Sequence, residues 1–344
     1  MNPPLAGLRP LVLGFAGPEL TPDEEALFGR FPPAGFILFD RNIGSPRQLR
    51  MLTDRLRALT GRPDVPILID QEGGRVQRLG PPHWPEHPPA RPFGELYREG
   101  PIAALDAARF HGRAIAADLA AAGINVDCLP VLDVRDPEGH DIIGDRSFDA
   151  DPSAVASLGA ALLTGLREEG VCGIVKHIPG HGRARADSHR ELPVVNAPRE
   201  DLARDFLPFL RLADAPMAMT AHVLYAALDE ARCASLSPVV IGDVIRGELA
   251  FDGFLLCDDL AMKALTGPLQ DRLEGVLAAG CDAALHCTGI FAENETLLSA
   301  APVMAERSRE RLEAAMNWAE VPAADMSAEE WARRRDDLLG LLAR

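Results

Sequence analysis

The sequence predicts an α/β protein, a single-domain (β/α)8 TIM barrel that spans residues 1–344. Three observations support this fold. Eight short apolar runs recur along the chain, segments with helical spacing lie between them, and no change in composition marks a linker between domains. Strands that alternate with helices indicate a parallel sheet, because parallel neighbours need a long crossover connection. Eight such units favour a closed barrel, with an open doubly wound sheet as the alternative.

The elements follow in order along the chain. The eight predicted strands lie at 11–16, 35–39, 65–70, 125–134, 172–178, 216–223, 253–259 and 281–287. Helices are predicted between them, for example at 45–61, 103–123, 151–170 and 198–214. Several of these begin with Ser, Asp or Pro and end with Gly, as helix caps require. The tail at 304–320 is predicted to be the last barrel helix, with a dimer contact as the alternative.

Composition restricts the partners of the chain. Its net charge of −16, from 35 basic and 51 acidic residues, disfavours nucleic acid and anionic membranes, which both attract basic surfaces. No stretch reaches the ~20 apolar residues that span a bilayer, and the N-terminus lacks the features of a signal peptide. Six cysteines include no CxxC pair, and four lie in or beside strand-like runs, where buried free thiols are common. We therefore predict a cytoplasmic protein without nucleic-acid or membrane partners.

Ionisable residues occur at or near the carboxyl ends of five predicted strands. They are Asp70, Asp133, His177, His222 and Asp258. A single aspartate at a strand end could simply cap the next helix. In a barrel, however, the carboxyl ends of all strands form one rim, where catalytic groups collect. Five such residues therefore predict a polar site on that face.

The segment KHIPGHGRARADSHRELP, residues 176–193, cannot be helical because of its glycines and proline. In an extended segment Asp187 and His189 point to the same side. An aspartate that binds one imidazole nitrogen fixes the tautomer and leaves the other nitrogen to transfer protons. Because histidine has an ordinary pKa of about 6.5, the pair suits acid–base chemistry near neutral pH. The motif alone is weak evidence for this chemistry.

Two other interpretations of the same segment stay open. His181 could be an ordinary hydrogen-bonded histidine of a folded loop. Alternatively, the segment could bind a metal ion through His177, His181, His189 and Asp187. These residues lie on a Gly/Pro loop rather than on a helix face, so their spacing does not specify the geometry of a metal site. We predict neither a metal nor a cofactor.

Six segments, in order, resemble the landmarks of glycoside hydrolase family three. They are LIDQEGGRVQRL (68–79), IIGDRSF (142–148), KHIPGHG (176–182), DSHRELP (187–193), MTAHV (219–223) and GFLLCDDLAM (253–262). The chain looks most similar to the single-domain bacterial β-N-acetylglucosaminidases of that family, which act in peptidoglycan recycling. The resemblance implies a (β/α)8 barrel, a carbohydrate substrate of the muropeptide type, and a retaining mechanism through a covalent glycosyl-enzyme intermediate.

The resemblance also implies roles for particular residues. Asp258 corresponds to the nucleophile, and His189 to the acid/base, supported by Asp187 on a mobile loop of about 176–193. Substrate contacts correspond to Asp70, Arg78, Arg146, Lys176 and His177. The chain departs from the family pattern at RARA (183–186), where relatives usually have acidic or small residues. It departs again at His286, which is expected to reshape the floor of the pocket slightly.

The residues by themselves do not choose between Asp258 and Asp259 as the nucleophile. Strand alternation places the two on opposite faces, so that only one should point into the barrel mouth. The resemblance selects Asp258 and leaves Asp259 a supporting or helix-capping role. Four other functions stay open: a phosphorylase, in which phosphate replaces water, a broader β-glycosidase, a metal-dependent hydrolase on the same barrel, and a catalytically silent sugar-binding protein.

Overall fold

The computed structural model describes residues 7–188, 190–320 and 326–343, which form a closed barrel of eight parallel strands surrounded by helices. The described strands are β1 (Arg9–Leu13), β2 (Pro33–Leu38), β3 (Ile67–Ile69), β4 (Val126–Asp127), β5 (Cys172–Ile178), β6 (Val194–Val195), β7 (Met217–Thr220), β8 (Leu224–Tyr225), β9 (Phe254–Asp259) and β10 (Ala283–His286). The barrel order is β1-β2-β3-β4-β5-β7-β9-β10, and β10 pairs with β1. Each predicted strand overlaps one barrel strand. The predicted barrel is confirmed, and the open-sheet alternative is wrong.

The two remaining strands, β6 and β8, pair in parallel outside the barrel and were not predicted. Each contains only two residues, too few to produce an apolar run in the sequence. Their pairing ties the end of the 176–193 segment to the chain that follows β7, because the Leu224 amide donates to the Pro193 carbonyl at 2.9 Å.

Helices cover the outside of the barrel. Those described are α1 (Pro22–Arg30), α2 (Pro46–Thr60), α3 (Arg91–Glu99), α4 (Pro101–Ala121), α5 (Pro152–Glu168), α6 (Arg199–Arg211), α7 (Leu269–Ala279), α8 (Phe291–Ala300), α9 (Glu306–Met316), α10 (Ala328–Leu339) and a π-helix at Val240–Glu248. The helices predicted at 45–61, 103–123, 151–170 and 198–214 correspond to α2, α4, α5 and α6. The caps also agree for α2, since Ser45 accepts from the Gln48 amide and Gly61 is left-handed with φ +64°.

The predicted tail helix at 304–320 is α9, but it is not the last helix. A further helix, α10, packs on the outside of α4. Its Trp331 is buried against Ala114, and the Arg113 guanidinium lies 3.6 Å from the Trp331 ring centroid. A cation over an aromatic face attaches the helix through both apolar and electrostatic contact.

The strand residues alternate between two apolar layers, as a period of two requires. Leu11 and Leu13 face the surrounding helices, whereas Val12 belongs to a second cluster that fills the barrel. That inner cluster includes Met219 and Leu285, which line the cavity at the barrel mouth. The interior is therefore a packed core that supports the site from below.

Two further sequence predictions can be compared with the structure. Buried free thiols were predicted for the four cysteines in or beside strand-like runs; in the structure all six cysteines are free thiols, and all except the half-buried Cys287 are buried. Among the described residues, no helix combines the length and the apolar character needed to cross a membrane.

Candidate active site

A cavity of about 210 Å³ opens at the carboxyl ends of the barrel strands. The structure brings together in its wall the proposed nucleophile Asp258 and all five residues predicted to contact substrate, which are Asp70, Arg78, Arg146, Lys176 and His177. The other two predicted rim residues, Asp133 and His222, are fully buried behind the wall. His189 lies outside the described residues. Asp187 is not part of the wall, but its neighbour Ser188 is.

Lys176 and Arg146 are joined by one buried carboxylate, that of Glu72. The Lys176 ammonium lies 2.6 Å from Glu72 Oε1, and Arg146 binds both oxygens of the same carboxylate at 2.7 Å. Burial would raise the pKa of Glu72, but the Arg146 and Lys176 cations outweigh it and hold that pKa far below its usual range. The three side chains therefore stay charged, and their polar atoms keep one fixed arrangement.

Asp70 extends this network toward the cavity. Its Oδ1 accepts from the Lys176 ammonium at 2.9 Å, and its Oδ2 lies 3.6 Å from Arg78 Nη2. Burial alone would lower the pKa of Lys176, yet the Asp70 and Glu72 carboxylates raise it above its usual value. Lys176 is thus a permanent cation with two carboxylate partners.

Glu72 is a site residue that the sequence analysis missed. It lies two residues after Asp70 in the quoted LIDQEGG motif, at the end of a strand, and that position was the available signal. The following Gly73 has φ +87°, and a Cβ there would lie 2.3 Å from the Pro88 carbonyl oxygen. Only glycine fits this turn, so the glycine lets backbone pack on backbone and aims Glu72 at its partners.

Asp133 orients His177. Its carboxylate accepts from His177 Nδ1 at 2.7 Å and from the backbone amides of His177 and His181 at 3.2 and 2.7 Å. Burial would raise the pKa of Asp133, but His177 and these hydrogen bonds lower it, so the carboxylate is ionised. Because Nδ1 of His177 donates to Asp133, Nε2 is the ring atom available to a ligand in the cavity.

His181 also lines the cavity, next to His177, with 5.6 Å between ring centroids. Burial, followed by the neighbouring His177, lowers the pKa of His181 to about 4, so its imidazole is neutral at pH 7. Its Nε2 lies 3.4 Å from the hydroxyl of Ser188, the residue between Asp187 and His189. His181 is therefore a hydrogen-bonded loop histidine, as one interpretation held, and it contacts Ser188.

Asp258 and Asp259 both line the cavity, so the prediction that only one could face it is wrong. The register between β9 and β10 is irregular at this point, and simple alternation ends with it. Asp259 Oδ1 accepts from the backbone amides of Ala261 and Cys287, both at 3.0 Å. Asp258 Oδ1 accepts from the Asp259 amide at 2.8 Å. The Asp259 carboxylate is thus tied to the barrel.

Two buried histidines support this strand end. His222 shares a hydrogen bond of 2.7 Å with Ser235 and lies 3.1 Å from the Asp259 carbonyl oxygen, to which its Nε2 donates. Burial lowers the pKa of His222, so this contact is made by a neutral ring. His286 lies behind Asp259, 3.9 Å from its Oδ1, and contacts Glu293 at 3.1 Å. Its neighbours Leu285 and Cys287, rather than His286 itself, form the wall.

The RARA segment forms ion pairs with its surroundings. Arg183 pairs with Asp205 of α6 and lies 3.4 Å from Asp136, whereas Arg185 pairs with Glu138 on the surface. Asp187 lies 3.6 Å from Arg190, and the Ser188 carbonyl accepts from the Ala264 amide at 3.2 Å. Among the described residues, which exclude His189, no group of three or more His, Cys, Asp or Glu side chains could hold a metal ion.

Several known proteins resemble this chain in sequence. Residues 27–317 match the family model for the glycosyl hydrolase family 3 N terminal domain. The chain is 40% identical to the beta-hexosaminidase of Thiobacillus denitrificans over 285 residues, 81% of this chain and 78% of that protein. It is 36% identical to the beta-hexosaminidase of Aromatoleum aromaticum over 344 residues, 97% and 95% of the two chains.

A solved structure extends the similarity to the fold. The structure of NagZ from Neisseria gonorrhoeae in complex with N-trifluoroacetyl-D-glucosamine superposes with a TM-score of 0.86 at 30% identity. The match covers 98% of this chain and 99% of that one.

Proposed function

The chain belongs to glycosyl hydrolase family 3, and we propose that it is a β-N-acetylglucosaminidase that removes terminal N-acetylglucosamine with retention of configuration. The observation that carries the proposal is the cavity at the barrel mouth. It combines a carboxylate at a strand end, Asp258, with the fixed cluster of Asp70, Glu72, Arg146 and Lys176. A glycosidase needs both a nucleophile in rigid surroundings and a set of donors and acceptors that holds one sugar ring.

The proposed mechanism has two steps. Asp258 attacks the anomeric carbon to form a glycosyl ester, while His189 gives a proton to the leaving oxygen. His189 then takes a proton from water, which attacks the ester and releases the sugar with its original configuration. Asp187 would bind the second imidazole nitrogen and set the tautomer.

The cluster around Lys176 would hold the sugar. An ammonium has three N–H donors, of which the Asp70 and Glu72 carboxylates take two, so that one remains for a sugar hydroxyl. Asp70, at the cavity wall, can accept hydrogen bonds from two adjacent hydroxyls. Because these groups are already paired and oriented, binding would cost little reorganisation.

The relatives indicate the substrate class. Two are named beta-hexosaminidase, and one solved relative was crystallised with N-trifluoroacetyl-D-glucosamine, an N-acylated amino sugar. We infer that the natural substrates are N-acetylglucosamine-containing muropeptides in the cytoplasm, where peptidoglycan is recycled. We further propose that residues 1–344 form one catalytic domain in which the part of the 176–193 loop beyond strand β5 moves during turnover.

The test is a comparison of initial rates on matched nitrophenyl N-acetylglucosaminide and glucoside at neutral pH, with and without phosphate and with EDTA. A preference for the N-acetyl sugar that is unchanged by EDTA would support the proposal. Faster turnover in phosphate, with sugar 1-phosphate as product, would replace it with a phosphorylase. Preference for the glucoside would indicate a broader β-glycosidase, loss of activity in EDTA a metal-dependent hydrolase, and no turnover a sugar-binding protein.

A further inference from the structure

A buried arginine lies outside the region that matches the family model. Arg335 belongs to α10, beyond residue 317, and only 2% of it is exposed. Its Nη1 lies 2.8 Å from His87 Nδ1 and 3.2 Å from His111 Nδ1, and its Nε donates to Asp336 at 2.8 Å. Burial of a guanidinium between two imidazoles costs desolvation energy, and attachment of a surface helix does not require it.

Arg335 determines which ring nitrogen carries the proton in each of the two imidazoles. A guanidinium only donates, so His87 and His111 must each accept at Nδ1 and carry their proton on Nε2. Burial, followed by the charge of Arg335 and the neighbouring His87, holds the pKa of His111 well below its usual range. His111 is therefore neutral, with Nε2–H as its one donor.

Both histidines contact the turn that carries Glu72. Against burial, which lowers the pKa of His111, the Glu72 backbone raises it as a hydrogen-bond acceptor, and the carbonyl is the backbone group that can accept from Nε2–H. The His87 carbonyl accepts from the Gly74 amide at 2.8 Å. Glu72, His111 and Arg146 also line one small cavity. A chain of contacts thus runs from α10 to the carboxylate that pairs with Lys176 and Arg146.

We propose that Arg335 is a positioning residue for the sugar site. It selects the Nε2–H tautomer of His111, which holds the Glu72 backbone so that the Glu72 side chain can bridge Lys176 and Arg146. The effect on sugar binding rests on the function proposed above, but the effect on the His111 tautomer does not.

The other explanation is that Arg335 only attaches α10 to the barrel. That helix has independent contacts with α4, since Trp331 packs on Ala114 and stacks with Arg113. Loss of attachment alone would lower the folded fraction, and hence the apparent kcat, without changing KM. Loss of positioning would raise KM in the molecules that stay folded.

The first experiment reads the tautomer directly and needs no substrate. Imidazole ¹⁵N shifts of the full chain, assigned by the signals lost in His111→Gln, should show His111 as neutral Nε2–H from pH 5 to 8. In Arg335→Met, both tautomers should be present. A wild-type His111 that titrates in this range, or that carries its proton on Nδ1, would overturn the proposal.

The second experiment measures kcat and KM on nitrophenyl N-acetylglucosaminide. Arg335→Met should raise KM on the order of tenfold, because small displacements of binding groups have large kinetic effects. The control is Arg333→Met on the same helix, an exposed residue that pairs with Glu330 and Asp337 and should leave KM unchanged. A lower kcat at constant KM in Arg335→Met would contradict the proposal.

A third comparison separates the two explanations even where Arg335→Met folds poorly. The amide of Gln can occupy the Nε2 position and donate to the Glu72 carbonyl without a choice of tautomer. The effects of His111→Gln and Arg335→Met on KM should therefore be non-additive in the double variant. Additive effects would show that Arg335 does not act through His111. A wild-type chain that is inactive on the N-acetyl sugar would refute the proposed function. The ¹⁵N shifts would still show whether Arg335 sets the tautomer of His111.

Discussion

The two sides of the cavity are held in different ways. On one side, Glu72, Lys176 and Arg146 are buried and joined by charge-assisted hydrogen bonds of 2.6–2.7 Å. On the other, the RARA segment (183–186) is held partly by surface ion pairs such as Arg185 with Glu138, whose side chains are 70% and 71% exposed. Exposed pairs contribute roughly 0–1 kcal/mol each, whereas breaking a buried pair costs several times more.

This difference fits the separate roles proposed for the two sides, sugar binding and proton transfer. Lys176 and Asp258 lie on the barrel strands β5 and β9, and Asp70 directly follows β3, where positions are set by the packed core. Asp187 and Ser188 lie on the loop that follows β5, where the Ser188 carbonyl accepts a hydrogen bond from the Ala264 amide. A rigid binding half suits a fixed sugar ring, and a weakly held half suits a proton donor that must approach and leave.

The largest expected effect comes from Asp258, the proposed nucleophile, on the rigid side. Asp258→Asn should abolish turnover of nitrophenyl N-acetylglucosaminide, because an amide cannot form the glycosyl ester. The matched control is Asp259→Asn, which keeps an oxygen that can accept from the Ala261 and Cys287 amides. Near-normal rates in Asp258→Asn, or a larger loss in Asp259→Asn, would reverse the assignment of the two aspartates.

The loop side should respond according to the leaving group. His189→Ala should slow substrates with poor leaving groups by about 10²–10⁴-fold, the usual contribution of a general acid. Substrates with good leaving groups need no proton in the first step and should be affected much less in that step. The measurement is a series of aryl N-acetylglucosaminides of increasing phenol pKa. An equal loss across the series would mean that His189 is not the acid.

Substitutions on the two sides should change the free energy of unfolding by different amounts. Glu72→Gln removes the charge between Lys176 and Arg146 and should lower the free energy of unfolding by about 3–5 kcal/mol, the usual cost of breaking a buried pair. Arg185→Ala, on the exposed loop pair, should change it by less than about 1 kcal/mol. Urea denaturation of both variants gives the comparison. Similar losses in the two would mean that burial does not distinguish these regions.

A smaller effect concerns pH. The pKa of His181 is lowered from about 6.5 to about 4 in the folded chain, so the unfolded chain binds the proton more readily. Its contribution to stability is therefore complete above pH 6.5 and is lost as the pH falls toward 4. His181→Asn should flatten the decline in melting temperature over this range, whereas the exposed His83→Asn should not. If the melting temperature of His181→Asn declines as in the wild type, the pKa of His181 is not lowered in the folded chain.

Much of the barrel could be read from the sequence because its signals are local. A strand appears as a short apolar run, a helix as a spacing with caps, and a strand end as the residue that follows the run. These signals located the eight barrel strands and placed Asp70, His177 and Asp258 on one rim. The order of the family motifs supplied Arg78, Arg146 and Lys176 as their neighbours.

Only the tertiary structure decided which residues that are far apart in the chain come into contact. Glu72 meets Arg146 across 74 positions, and Arg335 meets His111 across 224. The irregular register that turns both Asp258 and Asp259 toward the cavity is likewise a property of strand pairing. No periodicity marks such contacts, because the chain is brought together by burial of the whole core, and a buried charge acquires its partner only when that core has closed.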